Sequence, residues 1–217
     1  MNRRHFVLGV TGFAIVAYTG GAFAYREAVA SAARDRATKV GAALYRDHAP
    51  IIGPTEAKVT ITEFFDPSCE ACRAFYPIVK QIMELHAGKV RLVLRYAALH
   101  EGSDQVVRIL EAGRLQDKFI PVLEALLAKQ PEWAVHGAPD IEKAWSIAGS
   151  AGLDLNKART DAQTDPVTAV LAQDAADVEA VGLTQTPTFF VNGKPLTDFG
   201  PQQLYDLVTA EVQGAGA

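Results

Sequence analysis

Residues 64–77 read FFDPSCEACRAFYP and contain both cysteines of the 217-residue chain, Cys69 and Cys72. An apolar, β-branched run from Val59 to Phe65 leads into this stretch, and a helical pattern from Ala71 to Leu85 follows it. We therefore expect the two thiols at a junction where a strand passes into a helix. A disulfide between residues so close in the chain would restrict the unfolded state very little. The C-x-x-C spacing therefore indicates redox reactivity more than structural support.

The overall composition excludes several other classes of protein. The chain is 49% hydrophobic and 21% charged, which is the balance of an ordinary globular domain. Its formal net charge is −4 and Lys and Arg are not clustered, so a nucleic-acid-binding surface is not expected. The five histidines are scattered without metal-ligand spacing, and we expect neither a metal nor another cofactor.

Residues 1–24 have the pattern of an export signal, with a basic start, an apolar stretch and a small-x-small motif at residues 22–24. Arg3 and Arg4, followed by apolar residues, also resemble a twin-arginine signal. We expect residues 1–24 to be removed and the mature protein to be periplasmic in a bacterium. The alternative is a membrane anchor at residues 7–24, although this stretch is short for a bilayer span.

Residues 25–54 are predicted to precede the main domain as a helix and a linker. Between residues 25 and 47 the chain is rich in alanine, and apolar residues recur at helical spacing. Gly53 and Pro54 interrupt the chain next, so the main domain is expected to start near residue 55. The helix is expected to pack on its own domain or to serve as a linker. The alternative is a short oligomerisation helix at residues 25–47, although alanines make a weak seam.

The remainder of the chain predicts an α/β fold in which helices separate two groups of strands. A strand, a helix and a second strand at the start form a right-handed βαβ unit with a parallel sheet. Ser103 and Asp104 are predicted to cap the first of the later helices, and Asn192-Gly193 is a strong hairpin signal. The predicted elements in chain order are strands at residues 59–65 and 89–99, helices within residues 103–182, strands at residues 186–191 and 194–196, and a last helix from Gly200.

Four features of the sequence resemble the DsbA-like branch of the thioredoxin superfamily. They are the dithiol motif Cys69-Glu70-Ala71-Cys72, a buried acid at Glu63, a helix-kinking proline at Pro77, and the loop Thr186-Pro187-Thr188 whose proline is cis in this superfamily. The resemblance covers roughly residues 55–213. It implies a thioredoxin-like fold, βαβ plus ββα, formed by residues 55–102 and 183–217, with a helical insertion at residues 103–182 and an N-terminal helix before it.

The residues of the motif suggest distinct roles. Cys69 is expected at a helix N-terminus, where free N–H groups and the helix dipole lower the pKa of a thiol, so it is the predicted nucleophile. Cys72, one turn further, is the predicted resolving thiol.

Glu63 lies in an apolar strand, where a carboxylate is costly without a partner, and it is the predicted proton relay to Cys72. The alternative is a strand-edge acid that reaches solvent. The resemblance implies that Thr186, before a cis Pro187, pairs with an extended substrate; the alternative is a trans proline at the strand start.

Glu70 and Ala71, between the cysteines, bear on the direction of electron flow. Strong oxidants of the family have Pro-His there, so in this chain we expect no imidazole to stabilise the thiolate. A carboxylate beside Cys69 is expected to raise the pKa of the thiol relative to those oxidants, which makes the disulfide less oxidising. Thr186 also resembles the residue that reductases and isomerases have before the cis proline.

We therefore interpret the chain as a periplasmic thiol-disulfide oxidoreductase that acts on cysteine-containing exported proteins through Cys69 and Cys72. The direction is open, with the balance towards a reductase or isomerase, and a membrane redox partner is expected to recycle the dithiol. The alternative function is a non-catalytic dithiol module that binds Cu(I) or docks a partner protein, because a soft metal suits two thiolates.

Overall fold

The computed structural model describes residues 25–29, 31 and 38–216. The residues at positions 25–29, 31 and 38–44 are helical, and the predicted export signal at residues 1–24 lies outside the described ranges. The chain divides into two units, Met1–Gly41 and Ala42–Ala217. None of the helices within the described ranges is long and apolar enough to cross a bilayer.

A five-stranded mixed sheet forms the centre of the second unit. Strand β2 (Val59–Phe65) pairs in parallel with β3 (Val90–Tyr96) on one side and antiparallel with β4 (Thr188–Val191) on the other. Strand β1 (Ile51–Ile52) adds to β3, and β5 (Lys194–Pro195) adds to β4, both antiparallel. Every residue of β2 is buried, which explains why its sequence reads as an apolar run instead of an alternating pattern.

Strand β1 is absent from the sequence-based prediction, which starts the main domain near residue 55. The compact unit begins earlier, at Ala42, and Ile51 lies opposite Val93 of β3. A strand of two residues is too short to show an apolar period, and Gly53 beside it reads as a loop signal. The start of the domain therefore depends on pairing with a distant strand.

Helix α1 (Glu70–Leu85) connects β2 to β3 and completes the predicted βαβ unit. One face of the helix is buried, and it carries Cys72, Phe75, Tyr76, Val79 and Ile82. Pro77 lies inside this helix, as the sequence predicted. A short loop joins the end of β2 to the start of α1. The dithiol at the start of this helix therefore lies at the carboxyl end of the central strand.

The described chain between β3 and β4 contains six helices. They are α2 (Ser103–Arg114), α3 (Phe119–Ala128), α4 (Gln130–Trp133), α5 (Ile141–Ser150), α6 (Leu155–Asp161) and α7 (Asp165–Val181). Asp140 caps α5, because its carboxylate accepts a hydrogen bond from the Lys143 N–H at 2.8 Å. Gly182 ends α7 with a φ of 75°, a conformation that glycine adopts without steric cost. Helix α8 (Pro201–Gly214) closes the fold.

A buried ion cluster joins β3 to α7. The Nη2 atom of Arg95 donates to Asp174 Oδ1 at 2.5 Å and to Asp177 Oδ2 at 2.7 Å. Arg46 donates to Asp177, and His48 Nε2 lies 2.6 Å from Asp174 Oδ1. Isolated charges would be costly at this depth, so the pairing fixes α7 on the sheet and ties the segment before β1 to the same helix.

Candidate active site

The two cysteines lie where β2 passes into α1. Cys69 is the N-cap residue of the helix, with φ −77° and ψ 122°, and Cys72 lies in its first turn. Both side chains are free thiols. Cys69 is 6% exposed and Cys72 is fully buried, so Cys69 is the more accessible of the two thiols.

The environments of the two thiols drive their pKa values apart. A hydrogen bond from the Cys72 thiol, together with the N–H groups of Ala71 and Cys72, lowers the pKa of Cys69 to about 5, and burial opposes this only in part. Burial, the hydrogen bond with Cys69 and the charge of Glu63 raise the pKa of Cys72 far above its ordinary value. At neutral pH the pair is therefore a thiolate at Cys69 and a thiol at Cys72.

Glu63 lies in the middle of β2, between Leu94 of β3 and Phe189 of β4. It is fully buried, so the prediction of burial is confirmed and the alternative of a solvent-exposed strand-edge acid is wrong. Neither carboxyl oxygen has a hydrogen-bond partner among the described residues. Burial, with a contribution from the Cys69 charge, raises the pKa of Glu63 to about 8. A carboxyl group of this pKa can gain or lose a proton near neutral pH.

The loop before β4 lies against the dithiol. The peptide bond between Thr186 and Pro187 is cis, as expected from the sequence, and the Thr186 carbonyl oxygen lies 3.2 Å from Cys69 Sγ. Strand β4 begins at Thr188, later than the predicted start at residue 186. Thr186 and Pro187 belong to the loop before the strand. The structure therefore brings together all five predicted site residues, although they come from two segments that are far apart in the chain. These residues are Glu63, Cys69, Cys72, Thr186 and Pro187.

Asp66 is a buried acid at this site that sequence reasoning missed. Its carboxylate accepts hydrogen bonds from the Ser68 N–H, the Leu99 N–H, the His100 N–H, the His100 ring and the Ser103 hydroxyl. Its backbone N–H lies 3.5 Å from Cys72 Sγ, and its carbonyl accepts the Cys69 N–H at 3.1 Å. Asp66-Pro67-Ser68 is a turn signal, and an Asp in a turn before a helix could have drawn attention to this carboxylate.

The prediction that Ser103 and Asp104 cap α2 is wrong. The N-cap of that helix is Gly102, and the Ser103 hydroxyl donates to Asp66 and lies 2.6 Å from the Ser68 hydroxyl. The hydroxyl donates to the buried Asp66 carboxylate and does not accept from the N–H groups of the helix end, because a hydrogen bond to a carboxylate is stronger than one between neutral groups.

Gln130 is a second residue that sequence reasoning missed. It is buried at the start of α4, and its side-chain amide donates to the carbonyl oxygens of Pro67 at 2.8 Å and Cys69 at 3.0 Å. The helices between β3 and β4 therefore hold the turn that carries the nucleophile. No local pattern marks this glutamine, since its partners are about sixty residues away in sequence.

Two histidines lie beside the motif, contrary to the expectation that no imidazole is available there. His100 Nδ1 is 2.8 Å from Asp66 Oδ2, and His136 Nε2 is 2.8 Å from Glu70 Oε1. The effect expected of Glu70, a pKa of Cys69 above that of the strong oxidants, stays a prediction. The pKa of Cys69 is lowered to about 5, and the Glu70 carboxylate is paired with His136. Among the described residues, no cluster of three or more His, Cys, Asp and Glu side chains is arranged to hold a metal ion.

The chain is similar in sequence and in fold to known proteins. The family model described as thioredoxin matches residues 46–209. The structure of a thioredoxin-like oxidoreductase from Silicibacter pomeroyi is 31% identical with a TM-score of 0.68, and the match covers 81% of this chain and 97% of that one. The thiol-disulfide exchange protein alpha-DsbA2 from Wolbachia pipientis is 19% identical with a TM-score of 0.66, over 84% of this chain and 96% of that one. This second likeness shows the fold alone.

A longer protein also matches. The chain is 30% identical over 175 residues, 79% of its length, to a Na(+)/H(+) antiporter NhaA 3 from Salinispora tropica. It spans about a quarter of that protein, since the match covers 25% of the antiporter. Transport is an activity of that longer protein.

Proposed function

This chain belongs to the thioredoxin family, and from that premise we propose that it is a DsbA-like protein disulfide oxidoreductase that exchanges disulfides with cysteine-containing exported proteins in the bacterial periplasm. The observation that carries the proposal is the placement of Cys69 at the N-cap of α1, beside the Thr186 carbonyl, with Cys72 fully buried one turn further along. This placement lowers the pKa of Cys69 and raises that of Cys72. A thiolate is the attacking species in disulfide exchange. Because Cys72 is protonated, it does not attack until the mixed disulfide at Cys69 has formed.

In the reducing direction, the Cys69 thiolate attacks one sulfur of a substrate disulfide. A mixed disulfide forms, and the other substrate sulfur leaves as a thiolate that takes a proton from water. Cys72 then loses its proton and attacks Cys69 Sγ, which releases the second substrate thiolate and leaves a disulfide between Cys69 and Cys72. The oxidising direction is the reverse of these steps.

In the second step Cys72 must lose its proton before it can attack Cys69. Its pKa is raised in part by the hydrogen bond with Cys69 and by the Cys69 charge, and both contributions end when Cys69 enters the mixed disulfide. Glu63, whose pKa is about 8, is suited to carry the proton between Cys72 and solvent. Thr186 and Pro187 border Cys69 and are the proposed site for backbone pairing with an extended substrate.

The pKa of Cys69 also bears on the direction. A value of about 5 lies between those of the reactive thiols of thioredoxin, about 7, and DsbA, about 3.5. Thioredoxin is reducing, at roughly −270 mV, and DsbA is oxidising, at roughly −120 mV. We expect a potential between the two, which favours an isomerase able to break and remake bonds, and a membrane redox partner that recycles the dithiol.

The test measures reduction of insulin and reactivation of scrambled ribonuclease by wild type, Cys69→Ser and Cys72→Ser. We expect no activity for Cys69→Ser, and a trapped mixed disulfide with substrate for Cys72→Ser. Wild-type activity in Cys69→Ser would refute the proposal. An equilibrium potential measured against glutathione then decides the direction.

A further inference from the structure

Two histidines that are distant in sequence meet at the dithiol. His100 follows β3, and His136 lies in the segment between α4 and α5. Their ring centroids are 5.7 Å apart, with an interplanar angle of 62°. Each ring contacts one carboxylate of the active-site stretch, His100 at Asp66 and His136 at Glu70.

These contacts matter because of the charges around Cys69. Asp66 and Glu70 lie on the two sides of Cys69 in the chain, and an unpaired carboxylate there would oppose a thiolate. The groups that face the histidine pair are Asp66 from the turn after β2, and Cys69 and Glu70 from the start of α1. All three are anionic at neutral pH, so two imidazoles face three negative charges.

The protonation of His100 is coupled to this cluster. Partial burial of the ring opposes the charge, but the hydrogen bond to Asp66 and the charges of Asp66, Cys69 and Glu70 outweigh it and raise the pKa of His100. The side chain of His136 is 69% exposed and that of His100 is 31% exposed. Both rings can therefore exchange protons with solvent.

We propose that His100 and His136 are positioning residues for the charge balance at Cys69, which act through Asp66 and Glu70 to stabilise the thiolate when the imidazoles are protonated. The inference rests on the proposed disulfide exchange and adds its control by pH. A stabilised thiolate favours the reduced dithiol, so the disulfide is a stronger oxidant when the rings are charged. This contribution is present above the pKa of Cys69, about 5, where the thiolate exists, and it is lost as pH rises through the pKa of His100.

Two substitutions remove the charge while they keep the hydrogen bond. His100→Asn places an amide near the position of Nδ1, which contacts Asp66, and His136→Gln places one near Nε2, which contacts Glu70. The matched control is His86→Gln, because His86 lies at the far end of α1, where its ring contacts Thr209. The readouts are the ultraviolet absorbance of the Cys69 thiolate against pH and the equilibrium constant with glutathione.

At about pH 6, we expect each active-site variant to shift the glutathione equilibrium roughly threefold to tenfold towards a less oxidising disulfide, with a matching rise in the pKa of Cys69. The shift should vanish near pH 9, where an imidazole is ordinarily neutral, and His86→Gln should match wild type at every pH. In a Glu70→Gln background the effect of His136→Gln should disappear, since its carboxylate partner is gone.

A measurement on the unaltered protein does not depend on how the variants fold. The pKa of His100, followed by NMR, should be higher in the reduced protein than in the oxidised one, because only the reduced form carries the thiolate. Equal values in the two forms, or variant shifts that are the same at pH 6 and pH 9, would overturn the inference. Absence of glutathione exchange in wild type would instead refute the proposed function.

Discussion

At the scale of single residues, the hydrogen bond between the two thiols is the first cause of the low pKa of Cys69. Cys72→Ala removes the donor, while Cys72→Ser keeps an O–H group at the same place. We expect the pKa of Cys69 to rise in the alanine variant by about one to two units and much less in the serine variant.

The pH dependence of alkylation by iodoacetamide measures this pKa, because only the thiolate reacts. For wild type the rate should be half-maximal near pH 5 and constant above about pH 7. Identical curves for the alanine and serine variants would show that the helix N-terminus, and not the second thiol, stabilises the charge.

Glu63 is the residue to test for proton transfer. In Glu63→Gln, the side chain keeps its shape but cannot carry a proton, so resolution of a mixed disulfide by Cys72 should slow by about a hundredfold. Rapid-quench measurement of the mixed disulfide follows this step. Thr62→Val is the matched control, because Thr62 is a neighbouring buried residue of β2 with no proposed role, and its rate should equal that of wild type.

The same acid makes stability depend on pH. The pKa of Glu63 is raised by burial from 4.5 to about 8 in the folded chain, so the folded state binds more protons than the unfolded state between these values. The free energy of unfolding of wild type should therefore fall, relative to Glu63→Gln, as pH rises from about 4.5 to about 8, by roughly 2–4 kcal/mol. Urea unfolding at several pH values measures the difference. A difference that is constant with pH would contradict the raised pKa.

At the scale of the elements, the helices between β3 and β4 support the active-site turn through Gln130. In Gln130→Leu, the carbonyls of Pro67 and Cys69 lose a buried donor, so we expect a loss of about 1–3 kcal/mol in the free energy of unfolding and a slower exchange rate. Gln116→Leu is the control, since the Gln116 amide contacts Asp154 at an exposed position. Equal exchange rates and equal free energies of unfolding in the two variants would show that α4 does not support the active-site turn.

At the scale of the whole molecule, the compact unit from Ala42 to Ala217 contains every residue of the proposed site. A chain that starts at Ala42 should therefore fold and exchange disulfides at the wild-type rate. Light scattering of both chains also tests the alternative that residues 25–47 form an oligomerisation helix. If the longer chain alone forms oligomers, the N-terminal helix assembles them, and loss of activity in the shorter chain would contradict a self-sufficient domain.

The sequence alone determined the chemistry and most of the architecture. Local signals were sufficient for β2, α1 and the hairpin at Asn192-Gly193, both of whose residues have positive φ. They were sufficient because apolar periodicity and turn residues act over a few positions. The C-x-x-C spacing likewise placed both thiols on one helical turn.

Only the tertiary structure decided what surrounds the dithiol. Asp66, His100, Gln130 and His136 come from the turn after β2 and from segments about 30 to 70 residues further along the chain, and no local pattern joins them. In the sequence Glu70 is an isolated charge beside Cys69, whereas the fold pairs it with His136. Electrostatic energy depends on distance in space and on burial, and chain folding alone sets both.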